Sequence, residues 1–123
     1  MNLVYVMAKI LDIVSSTGYY LPLIAKYGSV LGLESSDKLV KFGNAHYSKD
    51  LFQGDIFSYE FKTQLDTVTL LKNNLGICKS EDGLMKLIAI FDKILSPQGQ
   101  IIIMTKKCNK LNYHYIFGIN HFS

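Results

Sequence analysis

The segment that decides the fold is residues 8–18, Ala-Lys-Ile-Leu-Asp-Ile-Val-Ser-Ser-Thr-Gly. Ala8–Val14 is a short apolar run that predicts a buried β-strand, and Ser15–Gly18 predicts a turn of small residues. Apolar side chains at helical spacing over Tyr19–Tyr27 then predict a helix, which Gly28 is expected to end. A strand, a small-residue loop and a helix in this order are typical of the start of a βαβ unit.

The rest of the chain continues the alternation of strands and helices. Four further strands are predicted, at Ser29–Glu34, Asp50–Gln53, Asp66–Leu71 and Ile101–Thr105. Between them, Ser35 or Ser36 is expected to cap a helix that runs to about Tyr47. Ser80 is expected to cap a second helix, which ends before Pro97 and Gly99. This helix is expected to bury Leu84, Leu87, Ile88, Phe91 and Leu95.

This order of elements predicts the fold class. Strands that alternate with helices favour an α/β fold with three layers, in which a doubly wound, mostly parallel sheet has helices on both faces. We expect about five to six strands in a single domain that spans residues 1–123, with residues 1–7 as a leader. Apolar residues at period two in the tail, residues 106–123, predict a possible edge strand.

Composition excludes several classes of protein. Hydrophobic residues make up 49% of the 123 residues and charged residues 19%, which excludes intrinsic disorder. All 13 basic residues are lysines spread along the chain, and the net charge is only +3, so there is no strong signal for nucleic acid. No apolar run is long enough to span a membrane, and no metal-binding spacing is present. Two cysteines, Cys78 and Cys108, are typical of reduced thiols in a cytoplasmic protein.

Acidic and small residues recur where the predicted strands end. In a doubly wound sheet, ligands bind at the carboxyl ends of the strands. Asp12 and the loop after it lie at the first such end, and Glu34 ends the second strand, where a carboxylate suits a ribose diol. Asp55 and Ile56 follow the third strand, where they suit an adenine amino group and ring. The fourth segment of this kind is 71–76.

Taken together, these segments resemble class I S-adenosylmethionine-dependent methyltransferases, over about Lys9–Thr105. The glycine-rich motif of that family corresponds to Asp12–Gly18, "LDTVTLLKNNLG" (residues 65–76) resembles its fourth-strand segment, and "ILSPQGQIIIM" (residues 94–104) resembles the turn before its fifth strand. The resemblance implies a Rossmann-like fold, S-adenosylmethionine as cofactor and, by default, a small-molecule acceptor. It implies no particular catalytic residue. It implies cofactor-binding roles for Asp12, Ser16, Gly18, Glu34, Asp55, Ile56, Leu71 and Asn73.

Two features of the sequence depart from the family. Val14 and Ser16 replace two of the three motif glycines, and a β-branched valine is strained wherever a positive φ is required. The family usually has helices before the first strand and two further strands at the end of the sheet, so we expect the C-terminal part of the sheet to be truncated. These departures leave open an inactive methyltransferase-like module that binds a partner chain, or a second copy, through an exposed sheet edge.

A third possibility is a flavodoxin-like FMN-binding protein. The loop Ser15–Gly18 after an apolar strand resembles the phosphate loop of that family, in which the following helix N-terminus receives the phosphate. Glu34 and Asp55 have no role in this hypothesis. A nicotinamide-dependent dehydrogenase is disfavoured because the Gly-x-Gly-x-x-Gly spacing is absent.

Overall fold

A single sheet forms the centre of the molecule. The computed structural model describes residues 8–71, 79–107 and 110–117, with side chains up to residue 103. Within these ranges the strands lie in the order β3-β2-β1-β4-β5-β6; β1 to β5 run parallel and β6 is antiparallel to β5. The predicted mostly parallel sheet and its edge strand in the tail are confirmed. The strands are β1 Lys9–Ile13, β2 Ser29–Glu34, β3 Leu51–Gln53, β4 Leu65–Leu70, β5 Leu95–Lys107 and β6 Lys110–Phe117.

The first helix is shorter than the sequence pattern predicts. Helix α1 covers only Leu21–Ile24 and continues as a 3₁₀ turn over Ala25–Tyr27, whereas a helix over Tyr19–Tyr27 was expected. Pro22 occupies the first turn of α1. A helix starting at Tyr19 would place Pro22 further inside, where it has no N–H to donate and its ring clashes with the preceding turn. Proline therefore fixes the start of the helix, and the loop after β1 extends further than predicted.

The other two helices begin at the predicted caps. Ser36 Oγ accepts a hydrogen bond from Leu39 N at 3.3 Å at the start of α2 (Asp37–His46). Ser80 Oγ accepts one from Gly83 N at 3.1 Å at the start of α3 (Glu81–Ile94). Each serine thus satisfies one of the free N–H groups of its helix.

The buried face of α3 differs from the predicted one at two positions. Leu84 was expected to be buried but is 40% exposed, and Leu95 lies beyond the helix as the buried first residue of β5. Ile94 is buried in its place. Leu84 lies on the same face as Leu87 and Phe91, but α3 meets the core from Leu87 onward, so Leu84 in the first turn stays exposed.

Apolar residues on the two faces of the sheet form separate clusters, which gives three layers. One cluster joins the sheet to α3, and its members include Leu11, Ile13, Val68 and Phe91. The other joins the sheet to α1 and α2. Its members are Ile10, Leu21, Val30, Val40 and Leu51, with Ile24 packed against them. Alternation along β1 divides its side chains between the two faces, because successive strand residues point to opposite sides.

Helix α2 packs closely on the long loop after β1. Gly43 of α2 lies so near Thr17 that a Cβ built on it would be 2.1 Å from the Thr17 carbonyl oxygen. Three tyrosines meet beside this contact and form edge-to-face pairs, Tyr19 with Tyr20 and Tyr19 with Tyr47, each with ring centroids 5.4 Å apart. We call Tyr19, Tyr20 and Tyr47 the tyrosine cluster. It marks the place where the loop and α2 meet.

The strand order excludes the flavodoxin-like alternative. Flavodoxin-like sheets have the order 2-1-3-4-5, whereas here β3 lies outside β2 and β1 is next to β4. The order 3-2-1-4-5-6 is that of the dinucleotide-binding fold, in which the direction of the connections reverses between β1 and β4. Among the described residues, no helix has the length and apolar character needed to cross a membrane.

Candidate functional site

A cleft opens where the parallel strands β1, β2 and β3 end. Its volume is about 860 Å³, which lies within the usual range for small-molecule sites. The carboxyl ends of the strands and the loops after them form one wall, and the opposite wall runs from Lys79 along α3 to Ile90. The strand side contributes Val14, Leu33, Ser35, Gly54, Asp55, Ile56 and Phe57. The helix side contributes Lys79, Ser80, Asp82, Gly83, Lys86, Ala89 and Ile90.

The loop after β1 has the backbone of a glycine-rich turn without two of the glycines. Val14 has φ 53°, Ser16 has φ 56° and Gly18 has φ 76°. A left-handed conformation costs a residue with a Cβ roughly 1–2 kcal/mol, and more where the side chain is β-branched. Val14 therefore has a positive φ, the condition under which a β-branched valine is expected to be strained. The surrounding structure must compensate for this cost.

Glu34 lies beneath this loop and is only 6% exposed. One carboxylate oxygen accepts a hydrogen bond from Ser16 N at 2.8 Å, and the other accepts one from Ser36 N at 2.8 Å. The side chain thus connects the loop after β1 to the residue that caps α2. Each oxygen has a further lone pair, so both bonds are compatible with acceptance of a ribose hydroxyl.

Asp12 is buried at the end of β1 in a network of hydroxyl groups. Its carboxylate accepts hydrogen bonds from Thr69 Oγ1 at 2.6 Å and from Ser15 Oγ at 2.9 Å. Burial raises the pKa of Asp12 from 3.8 to about 6, although both hydrogen bonds favour the charged form and oppose this change. Ser15 also donates its N–H to Leu33 O at 3.0 Å, which attaches the loop to β2.

Asp55 and Ile56 lie together at the end of β3, as the sequence predicts. Ile56 is buried and Asp55 is exposed on the cleft wall. Asp55 Oδ1 accepts a hydrogen bond from Phe57 N at 2.9 Å, which fixes the turn after the strand. The position of the carboxylate is therefore set by its own backbone, as in an Asx turn.

The structure places the predicted site residues in two groups. Asp55 and Ile56 line the cleft itself. Asp12, Ser16, Gly18 and Glu34 form the loop and its support, next to the cleft but not among the residues that line it. Leu71 is half-buried directly after β4 and is likewise not in the lining, and Asn73 lies outside the described residues.

Sequence reasoning missed the wall that α3 contributes. Lys79, Lys86 and Ile90 line the cleft although none of them belongs to a recognised motif. A usable signal was present, because the helix after β4 must begin at the same edge of the sheet as the loops after the other strands.

Two lysines and two aspartates line the cleft, so its charged groups are balanced. Among the described residues, no three His, Cys, Asp or Glu side chains are grouped so as to hold a metal ion.

No protein-family model matches the chain, and no curated protein matches its sequence. Comparison with solved structures does find matches. A methyltransferase from Clostridium acetobutylicum, S-adenosylmethionine-dependent by its description, superposes with a TM-score of 0.73 at 16% identity, over 84% of this chain and 44% of its own. A TehB-like S-adenosylmethionine-dependent methyltransferase from Corynebacterium glutamicum superposes with a TM-score of 0.69 at 22% identity. That match covers 85% of this chain and 58% of the other protein.

A third match is an amino pentose methyltransferase from Micromonospora echinaspora, solved with S-adenosylmethionine bound. Its TM-score is 0.71 at 15% identity, over 91% of this chain and 67% of its own. This chain spans between 40% and 67% of the length of such solved proteins. These three matches each cover at least 84% of this chain, which confirms the architecture expected from the sequence. The chain has the Rossmann-like fold of S-adenosylmethionine-dependent methyltransferases.

Proposed function

We propose that the chain binds S-adenosylmethionine and takes part in methyl transfer to a small molecule. The observation that carries this proposal is the loop after β1. It keeps left-handed backbone at Val14, Ser16 and Gly18 and lies beside a cleft with an acidic and an apolar residue, Asp55 and Ile56, at the end of β3. A loop that adopts this conformation in spite of its cost has the geometry that suits a nucleoside cofactor at this edge.

Within the proposal, each wall of the cleft has a separate role. Asp55 accepts a hydrogen bond from the exocyclic amino group of adenine, and Ile56 and Ile90 contact the ring from the two walls. The remaining lone pairs of Glu34 accept from the ribose hydroxyls. The bound cofactor supplies an electrophilic sulfonium methyl group. Methyl transfer then depends on holding that group in line with the acceptor nucleophile, which requires position more than an acid or base.

The acceptor class is proposed from the solved proteins of the same fold. These proteins include an amino pentose methyltransferase, a sugar N-methyltransferase and a glycopeptide N-methyltransferase. Amino sugars are therefore the first acceptors to test. Because this chain spans only part of those proteins, the acceptor test uses the full 123-residue chain both alone and with candidate partner chains.

Cofactor binding is tested by filling the cleft from α3. Ala89 lies on the cleft wall and is exposed, so Ala89→Phe places a ring in the space assigned to adenosine. We expect calorimetric titration with S-adenosylmethionine to show at least a tenfold loss of affinity, about 1.4 kcal/mol. Met85, on the same helix and 63% exposed, does not line the cleft, so Met85→Phe is the matched control and should bind as the wild type does.

Two outcomes contradict the proposal. One is equal affinity of the Ala89→Phe and Met85→Phe variants, which would place the cofactor elsewhere. The other is no heat of binding from the wild-type chain at millimolar S-adenosylmethionine. Transfer itself is measured as release of S-adenosylhomocysteine on addition of an amino sugar, with the Ala89→Phe variant as the negative control.

A further inference from the structure

Two buried carboxylates accept hydrogen bonds from the loop after β1. Glu34 accepts the Ser16 N–H, and Asp12 accepts the Ser15 hydroxyl. Ser15 lies between the two left-handed residues, and its own N–H donates to Leu33 O at 3.0 Å. The loop is thus attached at Ser15 to β1 and β2, and at Ser16 to the end of β2.

These attachments fall where the backbone is least favourable. Val14 and Ser16 both have positive φ, and they flank the attached Ser15 directly. With glycine at both positions, the same backbone would have no steric cost from a Cβ. With valine and serine, the conformation persists only if the surroundings determine it. Hydrogen bonds to charged groups are the strong ones, and two of them meet the loop here.

We propose that Glu34 and Ser15 are positioning residues which hold a non-glycine loop in the conformation that binds the cofactor. Glu34 acts through the Ser16 amide, and Ser15 acts through Asp12, whose backbone oxygen and carboxylate lie 2.8 and 2.9 Å from the Ser15 hydroxyl. In this arrangement, hydrogen bonds to the two carboxylates hold a backbone conformation that glycine would adopt without steric cost. Glu34 therefore has a role that is separate from any contact with a ribose.

The first test observes the loop without any ligand. NMR of the full 123-residue chain reports positive φ at Val14 and Ser16 through their Hα–HN couplings and carbon shifts. We expect Glu34→Gln, which leaves only one acceptor oxygen for two N–H groups, to shift both residues away from the left-handed values. Asp66→Asn is the matched control, since Asp66 Oδ2 accepts the N–H of Lys9 at 2.8 Å at the opposite end of β1. Unchanged left-handed values in Glu34→Gln would overturn the proposal.

The second test rests on the proposed function, because it measures affinity for S-adenosylmethionine. In the native loop we expect Glu34→Gln to weaken binding at least tenfold, as expected when a hydrogen bond to a charged group is lost. When Val14→Gly and Ser16→Gly are both present, the same change removes only the ribose contact, so its cost should be at least threefold smaller than in the native loop. Equal losses in the two backgrounds would mean that Glu34 is only a direct ligand, and would overturn the proposal.

The two tests fail in distinguishable ways. A wild-type chain that does not bind S-adenosylmethionine contradicts the proposed function, while the ligand-free NMR measurement still decides whether Glu34 holds the loop. If the Glu34→Gln chain does not fold, Ser15→Ala replaces it in both tests. That variant removes only the hydroxyl donated to Asp12, and the same loss of left-handed values is expected.

Discussion

Asp12→Asn is expected to gain about 2.5 kcal/mol of stability relative to the wild type as the pH rises from 4 to 8. Burial raises the pKa of Asp12 from 3.8 to about 6. Between these two values the folded chain keeps a proton that the unfolded chain has lost. Protonated Asp12 therefore stabilises the fold fully below about pH 4, and this contribution is lost as the pH rises through 6. Asparagine, which does not ionise, has no such loss.

Urea denaturation of both chains between pH 4 and pH 8 measures this difference. The gap in free energy of unfolding should open with a midpoint set by the Asp12 titration. Thr69→Val offers a second check, because the Thr69 hydroxyl donates to Asp12 at 2.6 Å and lowers its pKa. That variant should shift the midpoint to higher pH. A gap that does not change with pH would mean that Asp12 ionises in the folded chain as easily as in the unfolded one.

Gly43→Ala is expected to lower the free energy of unfolding by about 3 kcal/mol, although alanine has a higher helix propensity than glycine. The new Cβ would lie 2.1 Å from Thr17 O and 2.6 Å from a methyl group of Leu51. A backbone oxygen cannot rotate away as a side chain can, so α2 or the loop must move. The same displacement disturbs the loop at the cleft, so cofactor affinity should fall as well.

Gly83→Ala is the matched control for this prediction. Gly83 also lies in a helix, in the first turn of α3, and is half-buried. There alanine should be neutral or stabilising by up to about 1 kcal/mol, because helix propensity is the main difference. Thermal or urea unfolding of the two variants compares them directly. Equal stability of the two would show that α2 is free to move away from Thr17.

The sheet could be predicted because its strands have strong local signals. The apolar, β-branched run that forms β4 and the alternation in the tail each specify a strand from a few residues. Ser36 and Ser80 likewise mark helix starts through a purely local hydrogen bond. Helix α1 was predicted too long because apolar periodicity outweighed Pro22, whose effect on the helix start is steric.

The site could be predicted only in part, because its geometry depends on contacts between distant segments. Asp12, Glu34 and Asp55 stand out in the sequence since each lies near the carboxyl end of a predicted strand. That Glu34 accepts the Ser16 amide depends on a pairing across 18 residues, which no local pattern contains. The positive φ at Val14 and the cleft wall from α3 are also products of the assembled fold.

The tyrosine cluster gives the chain an optical reporter at a useful place. The sequence has no tryptophan and eight tyrosines, so near-ultraviolet absorption, fluorescence and circular dichroism come mainly from tyrosine. Three of the eight tyrosines couple edge-to-face where the loop meets α2, and a fixed chiral arrangement of this kind strengthens the dichroic signal. Loop rearrangement on ligand binding would therefore be visible near 275 nm without any attached dye.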